Sequence, residues 1–178
     1  MANINVGLIT EFKTADLDDL CQATEDAIRE GIGFNWMTPP SKDVLEAFWR
    51  GVLVVPERVL FGGRLDGTLA ASIQLIKPAP SKQTTAFSVG ISNHFVAPWA
   101  RGHGLAKALL QAAEAEAKAY GFSVLTLHVR STQEAALKLY HESGYTRWGI
   151  MPYYEMVGDT MIAGHYFYKS LKPIMKIT

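Results

Sequence analysis

The stretch from Val96 to Ala106 places two glycines between a strand-like segment and the start of a strongly helical segment. The first turn of a helix has backbone N–H groups without intrahelical partners, and the helix dipole adds partial positive charge there. Gly102 and Gly104 have no Cβ, so a phosphate group can approach the backbone closely. A strand, a glycine-containing loop and a helix start in this order therefore predict an anion-binding site.

The spacing of residues in this stretch excludes two common phosphate-binding motifs. A P-loop ends in Gly-Lys-Ser/Thr, whereas Gly104 is followed by Leu105 and Ala106. The dinucleotide-binding pattern requires a third glycine, and that position is Lys107. The motif instead reads Arg-x-x-Gly-x-Ala, beginning at Arg101.

The composition is typical of a globular protein without a nucleic-acid or membrane partner. The chain has 178 residues, which suffice for one domain spanning residues 1–178 but are few for two. Its 17 Lys and Arg residues balance its 17 Asp and Glu residues, which argues against a nucleic-acid partner. No apolar run is long enough to span a membrane and no signal peptide is recognisable, so we expect a cytoplasmic location. The one cysteine, Cys21, lies on the apolar stripe of a predicted helix, and we interpret it as a core residue rather than a nucleophile.

Hydrophobic periodicity and turn residues predict alternating strands and helices along the whole chain. Asp16 is expected to cap the first helix, with Asp19 as its capping-box partner. Asp66-Gly67 is expected to form a type I′ hairpin turn. Glu114 is expected to pair with Lys118 one turn further along its helix. Strands are predicted at Asn3–Thr10, Arg58–Leu65, Thr68–Leu75, Thr84–Val96, Val124–Val129, Tyr145–Met156 and Met161–Leu171, and helices start near Asp16, Ser41, Gly104 and Gln133.

The strand predicted at Thr84–Val96 loses its alternation of apolar residues near its end. The apolar residues alternate up to Ile91, but Phe95 and Val96 are consecutive. A break in phase inside a strand predicts a β-bulge, a feature that is common beside active sites.

Two motifs in the sequence resemble those of the GNAT superfamily of N-acetyltransferases. The first is Arg101–Ala106 with the Val-x-Pro that precedes it, and the second runs from Gln133 to Tyr145 as Gln-x-x-Ala-x-x-Leu-Tyr-x-x-x-Gly-Tyr, with Gln133 at the family's Asn position. The resemblance implies an α/β (α+β) fold: a mostly antiparallel mixed sheet of about seven strands, a splayed parallel fourth and fifth strand, and about four flanking helices. Gly31–Phe34 and Gly149–Tyr154 further resemble the tabtoxin-resistance acetyltransferase subgroup.

The resemblance also implies that the chain binds acetyl-coenzyme A (acetyl-CoA) as a co-substrate. In the family, N–H groups of the loop hold the pyrophosphate and the pantetheine arm pairs with the bulged strand. Arg101 either helps to neutralise the phosphates or makes a structural hydrogen bond. The implied cofactor-binding residues are Phe95, Val96, Arg101, Gly102, His103, Gly104, Leu105, Ala106, Gln133 and Tyr140.

The reaction expected from the resemblance is direct acetyl transfer from a thioester to a primary amine. The departing thiolate needs a proton donor, and the resemblance implies Tyr140. A backbone N–H at the bulge of the fourth strand is the expected oxyanion donor. Gly90 stands where many relatives have a Glu, so we hypothesise that His94 is the base, with His128 or a water chain as alternatives. A hydrogen-bonded structural role stays open for either histidine. No cluster of His, Cys and acidic residues has metal-site spacing, so we expect no metal.

Phe34, Trp36 and Tyr154 are the expected acceptor-binding residues. Phe34 and Trp36 belong to a loop rich in Gly and Pro, where large apolar side chains either pack onto the core or line a pocket; both interpretations stay open. The expected acceptor is a small molecule such as an amino acid, an amine or a toxin- or antibiotic-like compound. The alternatives are acetylation of a protein amine and a non-catalytic acyl-CoA-binding module. The resemblance also implies a homodimer, to which the last strand and Ile174–Thr178 would contribute.

Overall fold

A computed structural model describes residues 2–32 and 34–173. Its strands are β1 (Ile4–Ile9), β2 (Arg58–Leu65), β3 (Thr68–Ile76), β4 (Ser88–Val96), β5 (Val124–Arg130), β6 (Thr146–Val157) and β7 (Thr160–Ser170). Its helices are α1 (Asp16–Arg29), α2 (Lys42–Val54), α3 (Leu105–Ala119) and α4 (Glu134–Glu142), with 3₁₀ turns at Gln83–Thr85 and Pro98–Ala100. Each predicted strand and helix is present, but β4 begins later than predicted because the residues before it form a 3₁₀ turn.

The strands form one mixed sheet with the hydrogen-bonded order β1-β2-β3-β4-β5-β7-β6. The pairs β1–β2, β2–β3, β5–β7 and β6–β7 are antiparallel. β4 and β5 pair in parallel from Ser88–Val124 to Gly90–Thr126, which are the first three residues of each strand. A seven-stranded mixed sheet with a parallel fourth and fifth strand is the predicted fold class, which is therefore confirmed.

The chain divides into two compact units. The first unit comprises Met1–Lys77 and Ser92–Ala113, and the second comprises Pro78–Ile91 and Glu114–Thr178. β1, β2, β3, α1 and α2 belong to the first unit, whereas β5, α4, β6 and β7 belong to the second. The single domain expected for residues 1–178 stays a prediction.

A buried polar chain joins α1 to α2 in the first unit. The indole N–H of Trp49 donates to Thr24 Oγ1 at 3.0 Å, and the Thr24 hydroxyl donates to the carbonyl of Leu20 at 2.6 Å. All three residues are fully buried. The two helices therefore pack through apolar faces while the polar groups between them are hydrogen-bonded.

The capping box predicted at the start of α1 is wrong. The N-cap residue is Ala15, and it makes no side-chain capping bond. Asp16 is instead buried and accepts a hydrogen bond from Arg64 Nη1 at 2.8 Å, while Asp19 accepts one from the backbone N–H of Leu69 at 3.3 Å. Both carboxylates accept hydrogen bonds from residues of β2 and β3. Because these strands are distant in sequence, a local capping pattern could not predict these partners.

The hairpin formed by β2 and β3 has the predicted turn. Asp66 and Gly67 have φ values of +49° and +91°, and a type I′ turn requires positive φ at both positions. On the same hairpin, a Cβ on Gly63 would lie 3.1 Å from Leu105 and 3.3 Å from Leu109. Glycine at this position therefore lets the beginning of α3 pack closely against β2.

Lys169 of β7 makes three hydrogen bonds within the second unit. Its Nζ donates to both carboxylate oxygens of Glu114, at 2.9 and 2.8 Å, and to the carbonyl of Ser143 at 2.8 Å. The predicted pair between Glu114 and Lys118 is therefore wrong, because the largely buried Glu114 carboxylate bonds to a lysine from the sheet. Gly158, with a φ of +59°, forms the turn of the predicted β6–β7 hairpin.

Within the described residues, no helix is long and apolar enough to cross a membrane. Residues 2–32 and 34–173 hold no group of three His, Cys, Asp or Glu side chains that is arranged as a metal site. Ile174–Thr178, which were expected to contribute to a homodimer, and Gly33 of the Gly31–Phe34 motif lie outside the described residues.

Candidate active site

The predicted anion-binding loop follows β4 directly. The 3₁₀ turn Pro98–Ala100 leads into the turn Arg101–Gly104, after which α3 begins. Gly102 and Gly104 have φ values of +81° and +87°, where any L side chain is strained. The first helical bond runs from the N–H of Ala108 to the carbonyl of Gly104 at 3.0 Å, so the preceding N–H groups lie at the open end of the helix. This arrangement suits an anion.

Arg101 and His103 lie beside these glycines. Arg101 Nη1 donates to Glu30 Oε2 at 2.7 Å, and its Nε donates to the carbonyl of Val96 at 3.4 Å. The arginine and glutamate side chains are 41% and 49% exposed, so the ion pair contributes little energy and an incoming phosphate can compete for the guanidinium. His103 Nδ1 lies 3.3 Å from the carbonyl of Ala100. These bonds are compatible with the structural interpretation of Arg101, and its role in neutralising phosphates stays a prediction.

His94, the hypothesised base, contacts the start of α3. Its Nε2 lies 2.9 Å from the carbonyl of Ala106, and because a carbonyl only accepts, Nε2 carries the hydrogen. Burial lowers the pKa of His94 to about 4, although the bond to Ala106 acts in the opposite direction. The imidazole is therefore neutral at pH 7. One residue earlier, within β4, Asn93 has a φ of +45°, a left-handed backbone conformation that is uncommon for a residue other than glycine.

Phe34 and Trp36 belong to an aromatic cluster in the first unit. Phe34 is buried, and its ring centroid lies 5.1 Å from that of Phe95 and 6.1 Å from that of Trp36. Phe48 and Trp49 of α2 each lie 6.2 Å from Phe34. Trp36 is half-buried. The structure therefore brings two predicted acceptor residues together with Phe95 at the end of β4.

Tyr140 and Gln133 lie in the second unit, within and before α4. Tyr140 is buried, and its ring contacts those of Tyr145 and Phe167 at centroid distances of 5.6 and 6.0 Å. Burial raises the pKa of Tyr140 above its ordinary value, so the hydroxyl stays protonated. Gln133 is the N-cap residue of α4 and makes no side-chain capping bond; its carbonyl accepts the N–H of Leu137 at 3.0 Å.

Tyr154 of β6 lies between His128 of β5 and Gly164 of β7. The Tyr154 hydroxyl oxygen is 2.5 Å from His128 Nδ1. Burial, and secondarily the charge of Glu155, raise the pKa of Tyr154 to about 12, so the phenol O–H is present to donate to Nδ1. A Cβ on Gly164 would lie 2.2 Å from Tyr154 Cγ, so glycine is required for the ring to occupy this position. A predicted acceptor residue and the alternative base are therefore in contact.

A polar network on β2, β3 and β4 of the first unit has no counterpart among the predicted site residues. It joins Arg58 to Gln74, Gln74 to Asn93, and Ser72 to Asn93. Gln74 and Ser72 are fully buried. The signal in the sequence is a pair of polar residues, Ser72 and Gln74, within a largely apolar strand. Positions facing solvent would explain such a pair equally well.

Comparison with known protein families matches residues 18–145 to the acetyltransferase (GNAT) family. A curated relative from Azospirillum brasilense, named as an uncharacterized N-acetyltransferase in the hisH-hisA intergenic region, is 53% identical over 133 residues. These residues are 75% of this chain and 79% of that relative. The family match includes the loop between β4 and α3, His94 and Tyr140, and it ends before Tyr154.

Solved structures of several acetyltransferases have a similar fold. An N-acetyltransferase from Staphylococcus aureus Mu50 superposes with a TM-score of 0.81 at 22% identity, covering 96% of this chain and 99% of that chain. The yncA protein from Salmonella typhimurium, described with its cofactor acetyl-CoA, gives a TM-score of 0.78 at 16% identity, covering 97% and 96%. At these identities the similarity shows a shared fold.

Proposed function

The chain belongs to the GNAT family of acetyltransferases and is an N-acetyltransferase, and we propose that it moves the acetyl group of acetyl-CoA directly to a primary amine of a small molecule. The observation that carries this proposal is the loop between β4 and α3, where Gly102 and Gly104 adopt positive φ before the open helix end. The acetyl-CoA in the yncA structure supports the same co-substrate for this chain.

The loop fits the chemistry of a pyrophosphate. Backbone N–H donors at a helix start provide partial positive charge without the desolvation cost of burying a cation. A Cβ on Gly102 would meet nothing within 4 Å, so the backbone conformation rather than lack of space calls for glycine. We assign binding of acetyl-CoA to the residues predicted from the sequence: Phe95, Val96, Arg101, Gly102, His103, Gly104, Leu105, Ala106, Gln133 and Tyr140.

In the proposed reaction, the neutral amine nitrogen attacks the thioester carbon; a C–N bond forms and the C–S bond breaks. The attacking amine loses a proton to the base, and the departing thiolate takes a proton from Tyr140. His94 is the proposed base because its imidazole is neutral at pH 7. Its low pKa makes it a weak proton acceptor, so His128 and a water chain stay as alternatives. A backbone N–H at Phe95 or Val96 would stabilise the oxyanion.

We propose that Phe34, Trp36 and Tyr154 contribute to binding the acceptor. The half-buried indole of Trp36 and the phenol of Tyr154 offer apolar surface and a hydroxyl of the kind that bind small ligands. We also propose a cytoplasmic homodimer. Large apolar side chains on the β6–β7 hairpin support this interface, since Trp148 and Tyr153 are 65% and 77% exposed.

A thermal-shift titration with acetyl-CoA, adenosine diphosphate and no ligand tests the proposed co-substrate. A ligand that binds only the native state adds about 2.7 kcal/mol of stability at about a hundredfold excess over its Kd. Gly104→Glu should abolish the shift, because it places a negative charge in the loop at a φ of +87°. Gly121→Glu is the matched control: it meets similar backbone strain, at a φ of +90°, beyond the other end of α3, and should retain the shift.

Thiol release in the presence of different amines then tests the reaction. Turnover with free amines supports a small-molecule acceptor, whereas turnover with peptides alone favours acetylation of proteins. Binding of acetyl-CoA without turnover of any amine would favour the non-catalytic module. Absence of a thermal shift at saturating acetyl-CoA would mean that the loop is only structural, and it would refute the proposal.

A further inference from the structure

Two buried polar side chains on β3 make hydrogen bonds to one residue of β4. The Ser72 hydroxyl donates to the carbonyl of Asn93 at 2.9 Å, and Gln74 Nε2 donates to Asn93 Oδ1 at 3.3 Å. Ser72 and Gln74 are fully buried, and buried polar groups are costly unless they are hydrogen-bonded. Both bonds therefore act to hold Asn93 in its left-handed backbone conformation, directly before His94 and Phe95.

The same glutamine holds the side chain of Arg58 on β2. Arg58 Nη1 donates to Gln74 Oε1 at 2.6 Å. Arg58 is half-buried, yet within residues 2–32 and 34–173 no carboxylate lies within 4.0 Å of its guanidinium. By contrast, the half-buried Arg64 and Arg130 pair with Asp16 and Glu155, respectively. A partly desolvated cation without an anionic partner favours an anion from outside the chain.

The side-chain amide of Asn93, which is joined to Arg58 through Gln74, carries a second group of N–H donors. Its Oδ1 accepts hydrogen bonds from Gln74 Nε2 and from the Ser92 hydroxyl, the latter at 3.1 Å, so the network assigns the amide orientation. The Nδ2 group then points its N–H donors away from these partners. Within the described part of the chain, no acceptor is bonded to Asn93 Nδ2.

We propose that Arg58 and Asn93, joined through Gln74, bind the carboxylate of an amino-acid acceptor. This inference rests on the proposed function, and it narrows the acceptor from small amines in general to amines that carry a carboxylate. Guanidinium and amide N–H groups are the donors that carboxylates prefer. An α-amino group is one carbon away from its carboxylate, so binding at Asn93 places the nucleophile next to the segment His94–Phe95.

If Arg58 only donates a structural hydrogen bond to the Gln74 amide, its removal has a different expected effect. In that case, loss of the guanidinium would lower stability and would affect every acceptor alike. A carboxylate-binding role predicts instead that the loss depends on the charge of the acceptor. The ratio of activity on an acid to activity on its ester therefore separates the two roles.

The experiment uses two sets of acceptors: the free amino acids that occur in proteins, and the methyl esters of the same amino acids. Release of the coenzyme A thiol from acetyl-CoA measures the rate with each acceptor. For wild-type protein we expect the acids to be acetylated. Arg58→Ala should lower kcat/KM for the acids by about 10- to 100-fold, mainly through KM, and leave the esters within about threefold. Arg58→Lys keeps the positive charge but lacks the planar guanidinium, so its kcat/KM for the acids should lie between those of the wild type and Arg58→Ala. Arg50→Ala removes an exposed arginine of the same charge and should leave the acid-to-ester ratio unchanged.

The melting temperatures of all variants show whether Arg58→Ala is folded. If it is not folded, the acid-to-ester activity ratio of Arg58→Lys is compared with that of the wild type instead. An equal loss for acids and esters, or a wild-type preference for esters, overturns the carboxylate site but leaves the proposed acetyl transfer standing. Binding of acetyl-CoA without turnover of acids or esters overturns the small-molecule acceptor together with this site. Failure to bind acetyl-CoA is a failure of the proposed function itself.

Discussion

The contact between Gly164 and Tyr154 gives the sharpest test of the second unit. A Cβ on Gly164 would lie 2.2 Å from Tyr154 Cγ and 2.3 Å from Cδ2, far inside ordinary van der Waals contact. These atoms are at the base of the ring, so no small rotation at the end of the side chain relieves the overlap. Gly164→Ala must therefore displace the whole ring from its position beside His128.

The cost of this displacement follows from what the ring loses. Overpacking in a well-packed region costs about 1–3 kcal/mol. The bond between the Tyr154 hydroxyl and His128 accounts for about 0.5–1.5 kcal/mol of that if it breaks. For a chain of this size, about 1–3 kcal/mol corresponds to a fall in Tm of roughly 2–12 °C.

Calorimetry and urea unfolding of four variants, namely Gly164→Ala, Gly149→Ala, Tyr154→Ala and the double variant of Gly164 and Tyr154, measure this cost. Gly149→Ala on β6 is the matched control, because its Cβ would meet nothing within 4 Å and its φ is not positive; we expect a change near zero. In a Tyr154→Ala background the clash is absent, so adding Gly164→Ala should cost little or stabilise by up to about 1 kcal/mol. The double-mutant cycle should therefore show a coupling energy of about 1–3 kcal/mol.

The same variants also test the proposed role of Tyr154 in binding the acceptor. Gly164→Ala should raise KM for the acceptor while leaving the Kd for acetyl-CoA unchanged. Equal melting temperatures for Gly164→Ala and Gly149→Ala would refute the steric argument. A large, equal loss of stability for Gly164→Ala with and without the Tyr154 ring would show that the cost arises elsewhere.

Three other substitutions address the first unit and the proposed chemistry. Asp16→Asn should lower the free energy of unfolding at pH 7 by about 1–3 kcal/mol, because a buried carboxylate loses its charged bond with Arg64. The hydrogen bond from Arg64 lowers the pKa of Asp16 in the folded protein. The stability that the charged carboxylate contributes is therefore present above the unfolded-state pKa of about 3.9, and it is lost as the pH falls through the lower pKa of the folded state. Urea unfolding at a series of pH values measures this loss. His94→Ala should lower kcat/KM by about 10²-fold and flatten the acid side of its pH profile, because a base with a pKa of about 4 is removed. Tyr140→Phe should lower kcat by about 10²-fold with a much smaller change in the Kd for acetyl-CoA, because the substitution removes the proton donor and keeps the ring; steady-state kinetics and calorimetry measure both quantities.

Each of these three substitutions has a matched control in the chain. Glu25→Gln removes a carboxylate whose pair with Arg29 is exposed, and it should change stability little at any pH. His141→Ala and Tyr120→Phe alter exposed side chains outside the proposed site and should leave the kinetics unchanged. A pH-independent loss of stability in Asp16→Asn, an unchanged pH profile in His94→Ala, or full activity in Tyr140→Phe would contradict the corresponding assignment.

Local features of the structure follow the sequence closely. The turn at Asp66-Gly67 was predictable because positive φ at two successive positions depends on the residues themselves. The order of strands and helices was predictable for the same reason, since apolar periodicity is a local property. By contrast, partners of charged side chains were mispredicted wherever the true partner is distant: Asp16 pairs with Arg64, and Glu114 pairs with Lys169.

The sequence by itself determined the family, the order of elements and the glycine loop of the candidate site, because these depend on residue types at short spacing. Only the tertiary structure decided that β3 is buried on both faces, which turns Gln74 into the bridge between Arg58 and Asn93. It also placed the ring of Tyr154 over Gly164 and its hydroxyl against His128. These contacts join residues from separate strands, and burial and pairing across strands depend on how the sheet is assembled, which no local pattern contains.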